Sequence, residues 1–68
     1  MVVKVEVRER ENIVYEMEAN GLTIKELLVK LGLIPSEYVA VKNGNVVTEE
    51  DRVVDGDTLI LYPVKSGG

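Results

Sequence analysis

The residues that could do chemistry in this 68-residue chain are few. It contains no cysteine and no histidine, so it offers no thiol nucleophile, no disulfide and neither of the two commonest zinc ligands. The carboxylates at 49–51 are consecutive, without the spaced ligands of a calcium loop. Asp55 and Asp57 flank a turn glycine, where we expect them to cap backbone N–H groups. We therefore assign no catalytic side chain and no metal site, and attention moves to the last residues, Lys65-Ser66-Gly67-Gly68.

Size and charge narrow the class of protein. A chain of this length forms one domain at most, with little apolar surface to spare for an enclosed active site. Eight Lys and Arg stand against twelve Asp and Glu, a net charge of -4, which argues against direct nucleic-acid binding. No apolar run approaches the roughly 20 residues of a membrane span, and charged residues interrupt the first ten positions. We expect a cytoplasmic protein that does not contact a membrane and is monomeric when alone.

The beginning of the chain predicts a hairpin. Apolar residues alternate with charged residues up to about Arg10, and after a polar turn at 11–12 the alternation resumes, as expected for two antiparallel strands with one buried face. The residues predicted to face the core are Val3, Val5, Val7, Ile13, Tyr15 and Met17.

A short helix follows. Thr23 and Glu26 have the spacing of a capping box, and the next apolar residues recur at helical intervals. Gly32 stands where a left-handed C-terminal cap is common, and Pro35 prevents continuation. The pattern predicts a helix of about ten residues. Its apolar face consists of Ile24, Leu27, Leu28 and Leu31.

Three more strands are predicted. Tyr38 to Lys42 forms the third, Asn43-Gly44 is a favoured hairpin turn, and a short fourth strand returns from it. Thr58 to Tyr62 is apolar at nearly every position, which is typical of a central strand. The order of elements predicts an α+β fold, a ubiquitin-like β-grasp with a mixed four- to five-stranded sheet and one main helix on one face. We place this domain at residues 1–63 and a flexible Gly-Gly tail at 64–68.

The whole chain resembles the ThiS/MoaD-type sulfur carriers. The resemblance rests on four segments besides the hairpin, each quoted as it stands in this sequence. They are Gly21-Leu22-Thr23-Ile24, Val41-Lys42-Asn43-Gly44, Asp55-Gly56-Asp57 and Pro63-Val64-Lys65-Ser66-Gly67-Gly68. Tyr62 and Lys65 depart from the typical MoaD ending, so the resemblance does not choose between the ThiS and the MoaD branch.

The resemblance implies a carrier that is a substrate and not an enzyme. A ubiquitin-activating-type partner, similar to ThiF or MoeB, would adenylate the Gly68 carboxylate with ATP. A sulfur donor would then convert it to a thiocarboxylate, so ATP and the donor are used by the partner and no cofactor is bound. The acceptor would be thiazole synthase in thiamine synthesis, the large molybdopterin synthase subunit, or a tRNA thiolation enzyme.

The tail residues suit that chemistry. An α-carboxyl group has a pKa of about 3.3 to 3.7, so Gly68 presents an anionic oxygen at neutral pH. Without Cβ atoms, Gly67 and Gly68 can pass a narrow channel and leave the carboxyl carbon unhindered. Five residues from Val64 onward can span about 16 to 18 Å. Lys65 and Ser66 are the expected tail contacts.

A docking surface is expected on the sheet face opposite the helix. If Leu59 and Leu61 point into the core, alternation sends Ile60 and Tyr62 outward. With Val39 and Val41 taken as inward, Ala40 and Lys42 would share the outer face with them. These four outward residues form the predicted partner-docking patch, although long neighbours such as Arg8, Arg10 and Lys42 could instead shield the outer face of the central strand.

Two other functions fit the same residues. A ubiquitin-like modifier would be joined through Gly68 to lysines of target proteins. A plain β-grasp interaction module would keep its function after loss of Gly67 and Gly68. The sequence by itself leaves both alternatives open.

Overall fold

The structure is a computed structural model that describes residues 1–64. Its elements, in chain order, are β1 (Val3–Arg8), β2 (Asn12–Met17), α1 (Ile24–Lys30), a 3-10 turn (Pro35–Glu37), β3 (Tyr38–Lys42), β4 (Asn45–Val47) and β5 (Thr58–Pro63). The strands form one five-stranded sheet in the order β2-β1-β5-β3-β4. The predicted mixed sheet with one main helix is confirmed. No helix among the described residues is long and apolar enough to cross a membrane.

The central position of β5 organises the sheet. It runs parallel to β1 and antiparallel to β3, so it has a hydrogen-bonded neighbour on each side. Leu59 and Leu61 of β5 are fully buried, and Val5 and Val7 of β1 lie beside them in register. These residues pack with the buried side of α1 into one core. Its members are Val3, Val5, Val7, Ala19, Ile24, Leu27, Leu28, Ala40, Val53, Leu59 and Leu61.

The helix α1 begins as its capping residues predict. The Glu26 backbone N–H donates to the Thr23 hydroxyl at 3.1 Å, and the Thr23 backbone N–H donates to the Glu26 carboxylate at 2.9 Å. Those hydrogen bonds satisfy helical donors that would otherwise lack partners. The helix has seven residues and is shorter than the ten predicted, because Thr23 and Leu31 are its caps and lie outside it; Gly32 turns the backbone left-handed at φ +77° as expected.

The prediction for β3 was wrong. Ala40 lies opposite Leu61, and Lys42 lies opposite Leu59, so both point to the side of the sheet that α1 covers. Ala40 is only 6% exposed and belongs to the core cluster that contains Ile24 and Leu28 of α1. Lys42 lies at the rim of the same side, where its ammonium group donates to the Arg52 carbonyl at 3.0 Å. Ala40 and Lys42 therefore do not belong to the outer face.

A buried carboxylate ties the β3–β4 turn to the start of β5. Asp57, 9% exposed, accepts from the Val54 backbone N–H and from the Asn43 side-chain amide, each at 2.8 Å. The Asn43 amide oxygen in turn accepts from the Thr58 N–H at 2.9 Å. Asp57 is thus the local backbone cap that the sequence predicted. The hydrogen bond from Val54, and next that from Asn43, hold the pKa of Asp57 below its ordinary value.

Asp57→Asn should lower the free energy of unfolding by about 1 to 2 kcal/mol at neutral pH. An asparagine has one acceptor oxygen, and its NH2 group would oppose a donor, since the Asn43 oxygen is already used by Thr58. Because the folded pKa is depressed, the Asp57 contribution is present above the unfolded pKa of about 3.9 and is lost as pH falls through the folded value. Urea unfolding of both proteins at pH 7 and near pH 2.5 checks this. A difference that persists undiminished at the acidic pH would contradict it.

Candidate functional site

The residue after β5 is hydrogen-bonded to the 3-10 turn that precedes β3. The Val64 N–H donates to the Glu37 carbonyl at 2.8 Å. The Tyr38 hydroxyl donates to a Glu9 carboxylate oxygen at 2.8 Å and ties the β1–β2 turn to β3, and this hydrogen bond is the main cause that raises the pKa of Tyr38 to about 12. The backbone is therefore held in place up to the last residue that the structure describes.

The predicted reactive segment follows directly. Lys65, Ser66, Gly67 and Gly68 lie outside the described residues, so their assigned roles stay predictions. Four residues can span about 13 to 14 Å when fully extended. Any enzyme that acts on Gly68 must therefore bring its own surface close to the end of β5 that carries Tyr62 and Pro63.

An apolar patch covers the outer face of the sheet at β5, β3 and β4. Val39 lies opposite Tyr62, Val41 lies opposite Ile60, and Val46 of β4 lies opposite Val41, so these five residues share one face. No described element packs on that face. Val46 is 74% exposed, Val39 41% and Tyr62 38%, while Val41 and Ile60 are half-buried among them. We call these five residues the outer patch.

The rest of the outer face is polar. The outward residues of β1 are Lys4, Glu6 and Arg8, which alternate with the buried valines. On β2, Val14 is exposed between polar neighbours at 12 and 16. The apolar surface therefore lies on β3, β4 and β5, away from the β1–β2 hairpin. At Tyr62 it comes within two residues of Val64, where the predicted tail begins.

The structure brings together half of the predicted docking residues. Ile60 and Tyr62 face outward as expected, whereas on β3 and β4 the outward residues are Val39, Val41 and Val46 instead of Ala40 and Lys42. A docking role for any of these residues stays a prediction. A signal was available in the flanking residues of β3. Tyr38 and Lys42 have long side chains with a polar tip, which suit the rim of a covered face. Ala40 lies two residues from each of them on the same side of the strand, so it would face the core. The greater hydrophobicity of valine favoured the opposite orientation, with Val39 and Val41 in the core.

The described residues hold no cluster of side chains that could bind a metal ion. Across residues 1–64, no three acidic side chains come together in an arrangement that could hold a metal ion. In the acidic segment 49–51, the Asp51 carboxylate accepts from the Thr48 N–H at 2.8 Å, which is a local turn contact. What the site offers is a hydrogen-bonded strand end with an exposed apolar patch next to it.

Comparison with known proteins places this arrangement in a family. The Haloferax volcanii HVO 2177 protein, known from a solution structure, superposes with a TM-score of 0.67 at 17% identity, over 100% of this chain and 87% of its own. The ubiquitin of Caldiarchaeum subterraneum superposes with a TM-score of 0.55 at 17% identity, over the full length of both chains. These likenesses show the ubiquitin-like β-grasp fold.

Sequence comparison adds what the fold cannot. The sulfur carrier protein TtuB of Thermus thermophilus is 41% identical over 54 residues, which cover 78% of this chain and 83% of that protein. The family model of ThiS matches residues 3–68, so the match includes both the β-grasp body and the Gly-Gly end. The chain belongs to the ThiS family.

Proposed function

We propose that this chain is a sulfur carrier whose Gly68 carboxylate is adenylated and then converted to a thiocarboxylate. The observation that carries the proposal is the central strand β5, which ends at Pro63 beside the outer patch and directly before Val64-Lys65-Ser66-Gly67-Gly68. The ThiS family match over residues 3–68 and the relative named as a sulfur carrier support it. The chain acts as substrate and carrier, and its partner performs the catalysis.

The chemistry needs no side chain of this protein. A carboxylate oxygen of Gly68 attacks the α-phosphorus of ATP, an acyl-phosphate bond forms and pyrophosphate leaves. A sulfide equivalent from the sulfur donor then attacks the carbonyl carbon, the bond to AMP breaks and a thiocarboxylate anion remains. With no cysteine in the sequence, no thiol of the chain itself competes for the activated carbonyl.

The outer patch is proposed as the surface that the adenylating enzyme contacts. An enzyme that takes Gly68 into its site must approach within the reach of four residues from Val64, and the outer patch begins two residues before Val64. Exposed contiguous apolar surface on a small domain usually marks a protein interaction site. The partner surface is therefore apolar and lies beside the entrance to a narrow channel for the tail, where Lys65 and Ser66 make the contacts.

Intact-mass analysis tests the proposal. The full chain is incubated with ATP, a sulfur donor and each ThiF/MoeB-type enzyme of its organism, with a control lacking ATP. We expect one oxygen to be replaced by sulfur, and fragmentation should locate the change at Gly68. No adenylated or thiocarboxylated product with any of these enzymes would overturn the proposal.

The enzyme that accepts the sulfur identifies the biosynthetic pathway. The thiocarboxylated protein is offered in turn to thiazole synthase, to the large molybdopterin synthase subunit and to a tRNA thiolation enzyme, and sulfur transfer to one of them assigns thiamine, molybdopterin or tRNA thiolation. A lysine amine can attack the same acyl-adenylate, so protein modification is the competing outcome. Trypsin cleaves after Lys65, and a Ser-Gly-Gly remnant on lysines of cell proteins would reveal it.

A further inference from the structure

Arg8 and Tyr62 lie side by side at the edge of the outer patch. In the parallel register of β1 and β5, Glu6 pairs with Ile60, and the next outward residues along the two strands are Arg8 and Tyr62. The Arg8 guanidinium carbon lies 5.7 Å from the centre of the Tyr62 ring, within the range of a cation–π contact.

Glu6 holds Arg8 in that position. The Arg8 Nε–H donates to a Glu6 carboxylate oxygen at 2.7 Å, between two residues that share a face because they are two positions apart on one strand. This hydrogen bond and the charge of Glu6 raise the pKa of Arg8. A long exposed side chain, which would otherwise sample many rotamers, is thus directed over the tyrosine ring.

Tyr62 is the aromatic residue of the outer patch and the one nearest the tail. Tyrosine is enriched among the residues that carry most of the binding energy of protein interfaces. Across the sheet its neighbour on the other side is Val39, so the ring lies between a valine and a guanidinium group. A ring held in one orientation before binding loses less rotamer freedom when a partner docks.

We propose that Tyr62 is the aromatic anchor of the outer patch and that Arg8, held by Glu6, is a positioning residue that orients its ring for the adenylating enzyme. This rests on the proposed function. Arg8 acts by orienting the Tyr62 ring and does not itself contact the enzyme. Its loss therefore weakens docking and leaves the chemistry at Gly68 unchanged.

Steady-state adenylation of the full chain tests this inference. Arg8→Ala should raise KM for the carrier by about 3- to 10-fold with kcat unchanged. Arg8→Lys should recover part of the loss, because lysine keeps the positive charge without the planar stacking group. Lys4→Ala, on the same face of β1 but beside Thr58, is the matched control and should leave KM unchanged.

A double-mutant cycle separates positioning from direct contact. Tyr62→Ala should raise KM at least as much as Arg8→Ala, and the double variant should be no worse than Tyr62→Ala alone. If Arg8→Ala raises KM equally in both backgrounds, Arg8 contacts the enzyme directly and the inference is overturned. An unchanged KM for Arg8→Ala in a wild-type background overturns it too.

Three further readouts keep the result interpretable. Thermal unfolding and amide NMR spectra should show that each variant folds, and the ring-current shift of the Arg8 δ-methylene protons should vanish in Tyr62→Ala. Wild-type protein is assayed first. If it is not adenylated, the proposed function itself fails; if it is adenylated and Arg8→Ala matches it in KM, only the positioning role fails.

Discussion

Deleting Gly67 and Gly68 should reduce adenylation by at least about 100-fold while the folded domain keeps its thermal midpoint. The deletion shortens the reach beyond Val64 by about 7 Å and replaces an unhindered glycine carboxylate with that of Ser66. A misplacement of about 1 Å can already cost a factor of about 100 in a positioned reaction. The measurement is ATP-dependent adenylate formation with the cognate activating enzyme.

The thermal midpoint is the control for this deletion. The described core residues lie between Val3 and Leu61, so removal of residues 67 and 68 takes no member of that core away. Gly67→Ala is the sharper variant, because it keeps the length and adds only a methyl group. We expect a loss of about 10- to 100-fold, caused by obstruction in a narrow channel and by the lost backbone freedom. Unimpaired adenylation of both variants would overturn the assignment of Gly67 and Gly68 as the reactive end.

The activating enzyme should still bind the chain that lacks Gly67 and Gly68. If the outer patch supplies the affinity, the truncated chain should compete with the full chain for the activating enzyme, with an inhibition constant within about 10-fold of the KM. Failure to compete would mean that the tail carries most of the binding energy. This competition separates recognition of the body from reaction of the end.

Local sequence patterns were sufficient for most of the fold. The capping box at Thr23 and Glu26 and the left-handed Gly32 depend on contacts within a few residues, and the structure has both. The nearly all-apolar run of β5 identified the central strand, which is hydrogen-bonded to a neighbouring strand along each edge. One of its faces packs in the core and the other carries Ile60 and Tyr62 of the outer patch. These features need no knowledge of what lies across the sheet.

The orientation of β3 was harder to decide from local patterns. Its three middle residues, Val39-Ala40-Val41, are all apolar, so alternation among them gives no preference, and only the amphipathic flanking residues Tyr38 and Lys42 favoured the observed side. The deciding factor is tertiary: the register places Ala40 opposite the buried Leu61, and Ala40 joins the core cluster that contains Ile24 and Leu28 of α1. Because the strand β3 faces the opposite way from the prediction, the predicted docking surface contains the neighbouring valines instead of Ala40 and Lys42.

Aspartate substitutions at two adjacent residues of β3 test this orientation and should give opposite results. Ala40→Asp places a charge among Ile24, Leu28 and Leu61 with no partner, at a position that is 6% exposed. Burying an unpaired charge costs more than about 4 kcal/mol, against a total stability of about 3 to 10 kcal/mol expected for a domain of this length. We expect this variant to be largely unfolded by circular dichroism.

Val39→Asp should fold and fail to dock. Its side chain lies on the outer face, where water can solvate the carboxylate, so the cost to stability should stay near the 1 kcal/mol span of strand propensities. The same carboxylate would be buried against an apolar partner next to Tyr62, which should raise the KM for adenylation by about 10- to 100-fold. Lys25→Ala, on the exposed side of α1, is the control that should change neither quantity. The opposite pattern, a folded Ala40→Asp and an unfolded Val39→Asp, would restore the orientation that the sequence pattern favoured and remove Val39 and Val41 from the docking surface.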